Sequence, residues 1–97
     1  MSFIQVMQFQ TSKIDEIRAA ADEWDKATEG KRTVERSVMC EDRDNPGHYT
    51  IIVFFDSYED AMQNSALPET DALSKKTVAL GDGPPTFLNL DVIEERS

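Results

Sequence analysis

Hydrophobic positions along this chain recur with two different periods, and the switches between them outline the elements. The opening stretch Phe3-Ile4-Gln5-Val6-Met7-Gln8-Phe9 reads as a strand ending near Gln10. Ile14, Ile17, Ala21 and Trp24 then recur at helical spacing, with Asp15, Glu16, Asp22, Glu23 and Asp25 facing away. Ser12 is the expected N-cap of this helix, with Asp15 as its capping-box partner, and Gly30 is the expected stop. Residues 33–41 alternate: Val34, Arg36, Val38 and Cys40 fall on one side and Thr33, Glu35, Ser37 and Met39 on the other. The charges of Glu35 and Arg36 make this a half-exposed edge strand. Asp42-Arg43-Asp44-Asn45-Pro46-Gly47 is a hairpin tip. The strand that follows, 49–55, is apolar on both faces.

Ser57, with Asp60 three residues on, caps a short helix over 57–66. Pro68 cannot lie inside a smooth helix but suits the first position of a new one, predicting a second segment over 68–80. There Ala72, Leu73, Lys76, Thr77 and Leu80 come roughly into register. Gly81-Asp82-Gly83-Pro84-Pro85 ends it, and 86–93 alternates again as a last strand.

The order β-α-β-β-α-β is that of a ferredoxin-like α+β fold in one domain over residues 1–97. Right-handed crossovers put the first and third strands at the centre of a four-stranded antiparallel sheet, with the fourth and second at its edges. Both helical segments then cover one face. Ile4 and Val6 cannot share a face with Phe3, Met7 and Phe9, so one of these sets points away from the helices. An apolar patch of that size needs cover. A second copy of the chain supplies it, which predicts a homodimer joined through its sheet faces.

Composition narrows the partners. Ten basic against nineteen acidic residues give a net charge of −9, which speaks against binding nucleic acid or an anionic membrane surface. No apolar run approaches the roughly 20 residues of a membrane span, and no basic segment precedes an apolar stretch at the N-terminus. The single Cys40 has no internal disulfide partner, which fits the reducing cytoplasm.

With strand order, length and broken second helix in place, the stretch Phe54-Phe55-Asp56-Ser57-Tyr58-Glu59-Asp60-Ala61-Met62-Gln63-Asn64-Ser65 resembles the dimeric α+β barrel superfamily. The likeness is greatest to its antibiotic-biosynthesis-monooxygenase-like group. The resemblance implies two sheets packed into a shared barrel, with a pocket in each subunit between its own sheet and helices. It further implies either cofactor-independent oxidation of aromatic polyketide-like molecules or another small-molecule role. The asparagine, tryptophan and histidine set of the haem-degrading branch does not map onto this chain.

Six residues are candidates for such a pocket. Trp24 lies on the inner stripe of the first helix, and Tyr49, Phe55 and Phe87 could form aromatic walls. Arg36 could steady an anion or pair across a dimer, and Asn64 could cap a helix or bond a ligand. His48, the only histidine, falls beside the hairpin tip, where exposure is expected. No ligand spacing for a metal, no phosphate loop and no placed axial ligand for haem are evident, so the expectation is a protein without cofactor. Two functions stand beside each other: a cofactor-independent monooxygenase acting on an aromatic substrate, and a non-catalytic dimeric ligand-binding or interaction module.

Overall fold

The two strands richest in apolar residues pair with each other at the centre of the sheet. The computed structural model describes residues 2–97 and runs β1 (Phe3–Gln10), α1 (Ile14–Ala27), β2 (Arg36–Glu41), β3 (His48–Phe55), α2 (Tyr58–Ala66), α3 (Pro68–Leu80) and β4 (Thr86–Asp91). All pairings are antiparallel, in the order β2-β3-β1-β4. This is the ferredoxin-like α+β arrangement, its second helical unit split in two at Pro68.

Register decides which side of the sheet each residue joins. Phe3 stands opposite Phe55, Gln5 opposite Val53, Met7 opposite Ile51 and Phe9 opposite Tyr49. Phe3, Phe9 and Phe55 are buried, and Phe3 and Phe55 form a core cluster with Ala61 of α2. The aromatic set therefore faces the helices. Ile4, Val6, Ile52 and Phe54 face away, because neighbours along a strand point to opposite sides. Full burial of a side chain such as Phe55 is worth about 1.5–3 kcal/mol relative to exposure.

Local chemistry shifts several boundaries. α1 starts one residue later than Ser12 would set it: Lys13 holds the cap position, and the Thr11 hydroxyl accepts from the Lys13 N–H at 2.9 Å. Thr11 is buried and pinned at both ends. Its hydroxyl donates to the Leu80 carbonyl at 2.8 Å and its N–H to the Gly47 carbonyl at 3.0 Å, so the chain must clear it before coiling. α1 ends at Ala27, and Gly30, at φ 81, turns the chain only after the helix is over.

β2 begins at Arg36, three residues later than the alternation suggests. Upstream of it the Thr33 hydroxyl donates to the Asp60 carbonyl at 2.5 Å, tying the chain to α2, and Val34 packs on the Phe3–Phe55–Ala61 core. Val34 therefore does not share the side of Arg36 and Val38. β4 closes at Asp91, although the Val92 N–H still donates to the Ser2 carbonyl at 3.1 Å. α2 is capped as its sequence requires, with Ser57 Oγ accepting from the Asp60 N–H at 3.1 Å. Among the described residues, no helix is long and apolar enough to cross a membrane.

Candidate functional site

Several side chains of the inner layer, between sheet and helices, are only half-buried. α2 turns Ala61 and Asn64, three residues apart and so on one side, away from solvent. Asn64 is 5% exposed, and its Oδ1 has no hydrogen-bond partner among the described residues. Leaving a buried amide oxygen unbonded costs about 1–3 kcal/mol. It is the feature of this layer most in need of a donor.

On the sheet side of the layer, the rows beyond Phe3 and Phe55 hold Gln5, Val53 and Asn89, then Met7, Ile51, Met39 and Phe87. Gln5 Nε2 donates to Asn89 Oδ1 at 3.4 Å. The middle of a central strand under helices is usually the driest place in such a fold. Here Gln5, Met7, Ile51 and Val53 are only half-buried, while Asn89 and Phe87 are exposed. α2 is the helix that reaches β1 and β3, and α1 packs chiefly on α3. The layer is therefore accessible along β4, and it offers amide groups set among apolar side chains.

Tyr49 closes one end of the layer. It stacks on Phe9 with ring centres 5.7 Å apart. Loss of solvent around the phenol, followed by the charge of Glu41, raises its pKa above the ordinary 10.0, so it stays protonated at neutral pH. Glu41 and Asp91, on the same side of the sheet, lie at its rim and are exposed.

The six residues expected to line one pocket are spread over three places. Asn64, Tyr49 and Phe87 belong to the inner layer, Phe87 at its open edge with 55% exposure. Phe55 is fully buried in the core cluster. Trp24 turns toward α3 rather than the sheet: its indole N–H donates to Thr70 Oγ1 at 2.9 Å, and the ring borders a groove of about 220 Å³ with Leu73, Ala72 and the stem of Lys76. Arg36 lies on the opposite face of the sheet, its guanidinium 4.3 Å from the centre of the Phe54 ring. His48 is the first residue of β3, exposed as expected, on that same outer face.

Sequence reading passed over Gln5, Met7 and Ile51 as lining residues. Strand alternation carried the signal, since each shares the side of Phe3 and Phe55. Thr70 had no such signal, because its role depends on where Trp24 turns. Among the described residues, no group of three His, Cys, Asp or Glu side chains could hold a metal ion.

No family model and no curated protein matches this chain. Solved structures do. A protein of Mycobacterium tuberculosis superposes with a TM-score of 0.79 at 15% identity, covering 100% of both chains. SnoaB, a cofactor-independent oxygenase from Streptomyces nogalater, superposes with a TM-score of 0.78 at 13% identity over 97% of this chain and 95% of its own. A structure described as an antibiotic biosynthesis monooxygenase gives 0.74 at 17% identity, over 97% of this chain and 100% of that one. At these identities the likeness is one of fold. The chain shares its ferredoxin-like α+β fold with these proteins.

Proposed function

We propose that this protein is a homodimer that binds a flat, hydroxyl-bearing aromatic or polyketide-like molecule in the layer between its sheet and helices, and oxidises it without a cofactor. The observation that carries this reading is the buried, unpartnered Oδ1 of Asn64, beside a layer whose central side chains remain accessible. A ligand hydroxyl would supply the missing donor, and Met7, Ile51, Val53 and Phe87 would contact the rings. The amide N–H of Asn64 could then steady the oxyanion formed when the hydroxyl or an adjacent carbon gives up its proton. In such chemistry an electron-rich substrate itself passes electrons to dioxygen. The likeness in fold to a cofactor-independent oxygenase agrees with this.

The dimer rests on the outer face. In a chain with nineteen acidic residues, the outward strand positions Arg36, Val38, Cys40, Ile4, Val6, Gln8, Gln10, His48, Thr50, Ile52, Phe54, Thr86, Leu88 and Leu90 include no carboxylate. A face spared its share of a −9 charge can meet its own copy without repulsion. Its apolar centre supplies the driving force. The lone, exposed Cys40 fits a reducing cytoplasm as the place of work.

One observation favours binding without catalysis. The sheet side of the layer carries amides and apolar groups, its carboxylates sit only at the rim, and Tyr49 holds its proton. Substrate would have to reach the pocket already acidic enough to ionise. A polyhydroxylated anthrone tests both readings, since its methylene carbon and one dioxygen give a carbonyl and one water. Saturable binding with dioxygen uptake and quinone absorbance, both lost in Asn64→Ala, supports the oxygenase. Binding without turnover leaves the carrier, and no binding at all overturns the pocket.

A further inference from the structure

One row of the inner sheet face breaks the pattern of its neighbours. Ser37, Val53, Gln5 and Asn89 stand side by side across β2, β3, β1 and β4. On one side of this row lies the dry pair of Phe3 and Phe55, and on the other lie Met7, Ile51 and Phe87. Gln5 is half-buried on a central strand, a place where an aliphatic side chain would bury more apolar area for less lost rotamer freedom. Asn89 is of a residue type that strands disfavour. Packing alone gives no reason for two amides here.

The two amides are joined by a single bond, from Gln5 Nε2 to Asn89 Oδ1 at 3.4 Å, and among the described residues neither side chain makes another. A primary amide carries an acceptor oxygen and an NH2 donor. One bond between two such groups leaves an oxygen free on one and an NH2 free on the other. Turning both amides over leaves the same set. The pair therefore presents an acceptor and a donor side by side, on strands about 4.8 Å apart. No charged side chain belongs to the row, and Glu41 and Asp91 at the rim of this face disfavour an anion. α2 returns over the sheet from the end of β3 and packs Ala61 on Phe3 and Phe55. Three further residues of helix carry Asn64 about 4.5 Å onward, toward the amide row.

We infer that the Gln5–Asn89 pair determines the specificity of the inner layer, selecting a neutral aromatic ring whose two hydroxyls stand meta to each other. The pair acts so only if the inner layer takes a ligand at all, as proposed above. Two oxygens placed meta on one ring span about one strand spacing. One hydroxyl donates to the free amide oxygen, and the oxygen of the other accepts from the free NH2. The proton of that second hydroxyl remains for Asn64 Oδ1, while the ring rests on Val53 and Met7. Adjacent hydroxyls lie too close together to reach both amides, and a lone hydroxyl leaves one of them unbonded.

Calorimetric titration of the full chain with three probes tests this: naphthoresorcinol, with its hydroxyls meta, its isomer with adjacent hydroxyls, and β-naphthol, with one. The native chain should bind naphthoresorcinol about fivefold more tightly than either of the others, the weight of one neutral hydrogen bond. Gln5→Met and Asn89→Leu together should erase that preference while all three probes still bind, with circular dichroism showing the variant folded. Asn64→Ala should instead weaken all three, which reads the pocket itself. A native chain without the preference, a preference that survives the double substitution, or an equal loss for all three probes in that variant would overturn the role of the pair and leave the pocket standing. A native chain that binds none of the probes would overturn both.

Discussion

On the side of the sheet that faces the helices, Phe3 and Phe55 meet Ala61 in a dry cluster, and everything further along is looser: half-buried Gln5, Met7 and Ile51, exposed Phe87, and one orphaned amide at Asn64. On the other side, Ile4, Val6, Ile52 and Phe54 make an apolar centre with no carboxylate among its strand positions and, among the described residues, no helix packed above it. Both faces come from the same four strands, separated only by the two-residue alternation of side chains. The inner face gives up packing where a ligand would sit, and the outer face keeps apolar surface where a second chain would sit. Each departs from what a self-sufficient monomer would bury, in a different way.

The largest contrast between the faces lies in adjacent residues. Phe55→Ala removes a fully buried ring and should cost about 3–5 kcal/mol in denaturant unfolding. Phe54→Ala, half-buried beneath Arg36, should destabilise the folded subunit far less. Equal losses would mean the two faces are not different in kind. Thr70→Val strips the Trp24 indole N–H of its acceptor at the α1–α3 contact, and a loss of about 1–2 kcal/mol is expected.

Asn64→Leu should move stability the other way. Removing the unpaired Oδ1 is expected to raise the unfolding free energy by about 1 kcal/mol while abolishing anthrone binding, a trade typical of functional positions. A loss of stability without loss of binding would mark Asn64 as ordinary core. The smallest effect concerns pH. The hydrogen bond from Lys31 holds the Glu69 pKa below its ordinary 4.5. A lowered carboxyl contributes stability that is complete above pH 4.5 and is lost as pH falls through the folded value. Glu69→Gln should therefore lower stability slightly at neutral pH, leave it unchanged at low pH, and so flatten the acid limb of the profile below pH 4.5.

The fold was legible because period and punctuation agree. Gly47 and Pro68 sit where the pattern breaks, Ser57 caps as its type demands, and the apolar character of residues 3–9 and 49–55 marks the two central strands. The ends of elements were less so, because they depend on long-range bonds. Thr11 defers α1 by reaching Leu80 and Gly47, and Thr33 delays β2 by reaching Asp60. The candidate site was legible only in part. Asn64 could be named from its place near the helix break, but its orphaned oxygen is a property of packing. Trp24 read as facing the sheet because a helical stripe fixes an azimuth only to within a turn's width, and α3 drew the indole aside. Arg36 lies on the side of Val38 as the alternation places it, and within one chain its guanidinium sits over the Phe54 ring, a contact only strand register reveals.

The central claim is that the outer face is made to be covered by a second copy. Sedimentation equilibrium at micromolar concentration tests it most directly, on the native chain and on Ile52→Asp, whose side chain lies on the outer face opposite Val6. The native chain is expected at twice the 11.0 kDa of one chain, and the variant at the single-chain mass with its helix content retained. A native protein that stays folded at 11.0 kDa would contradict the account.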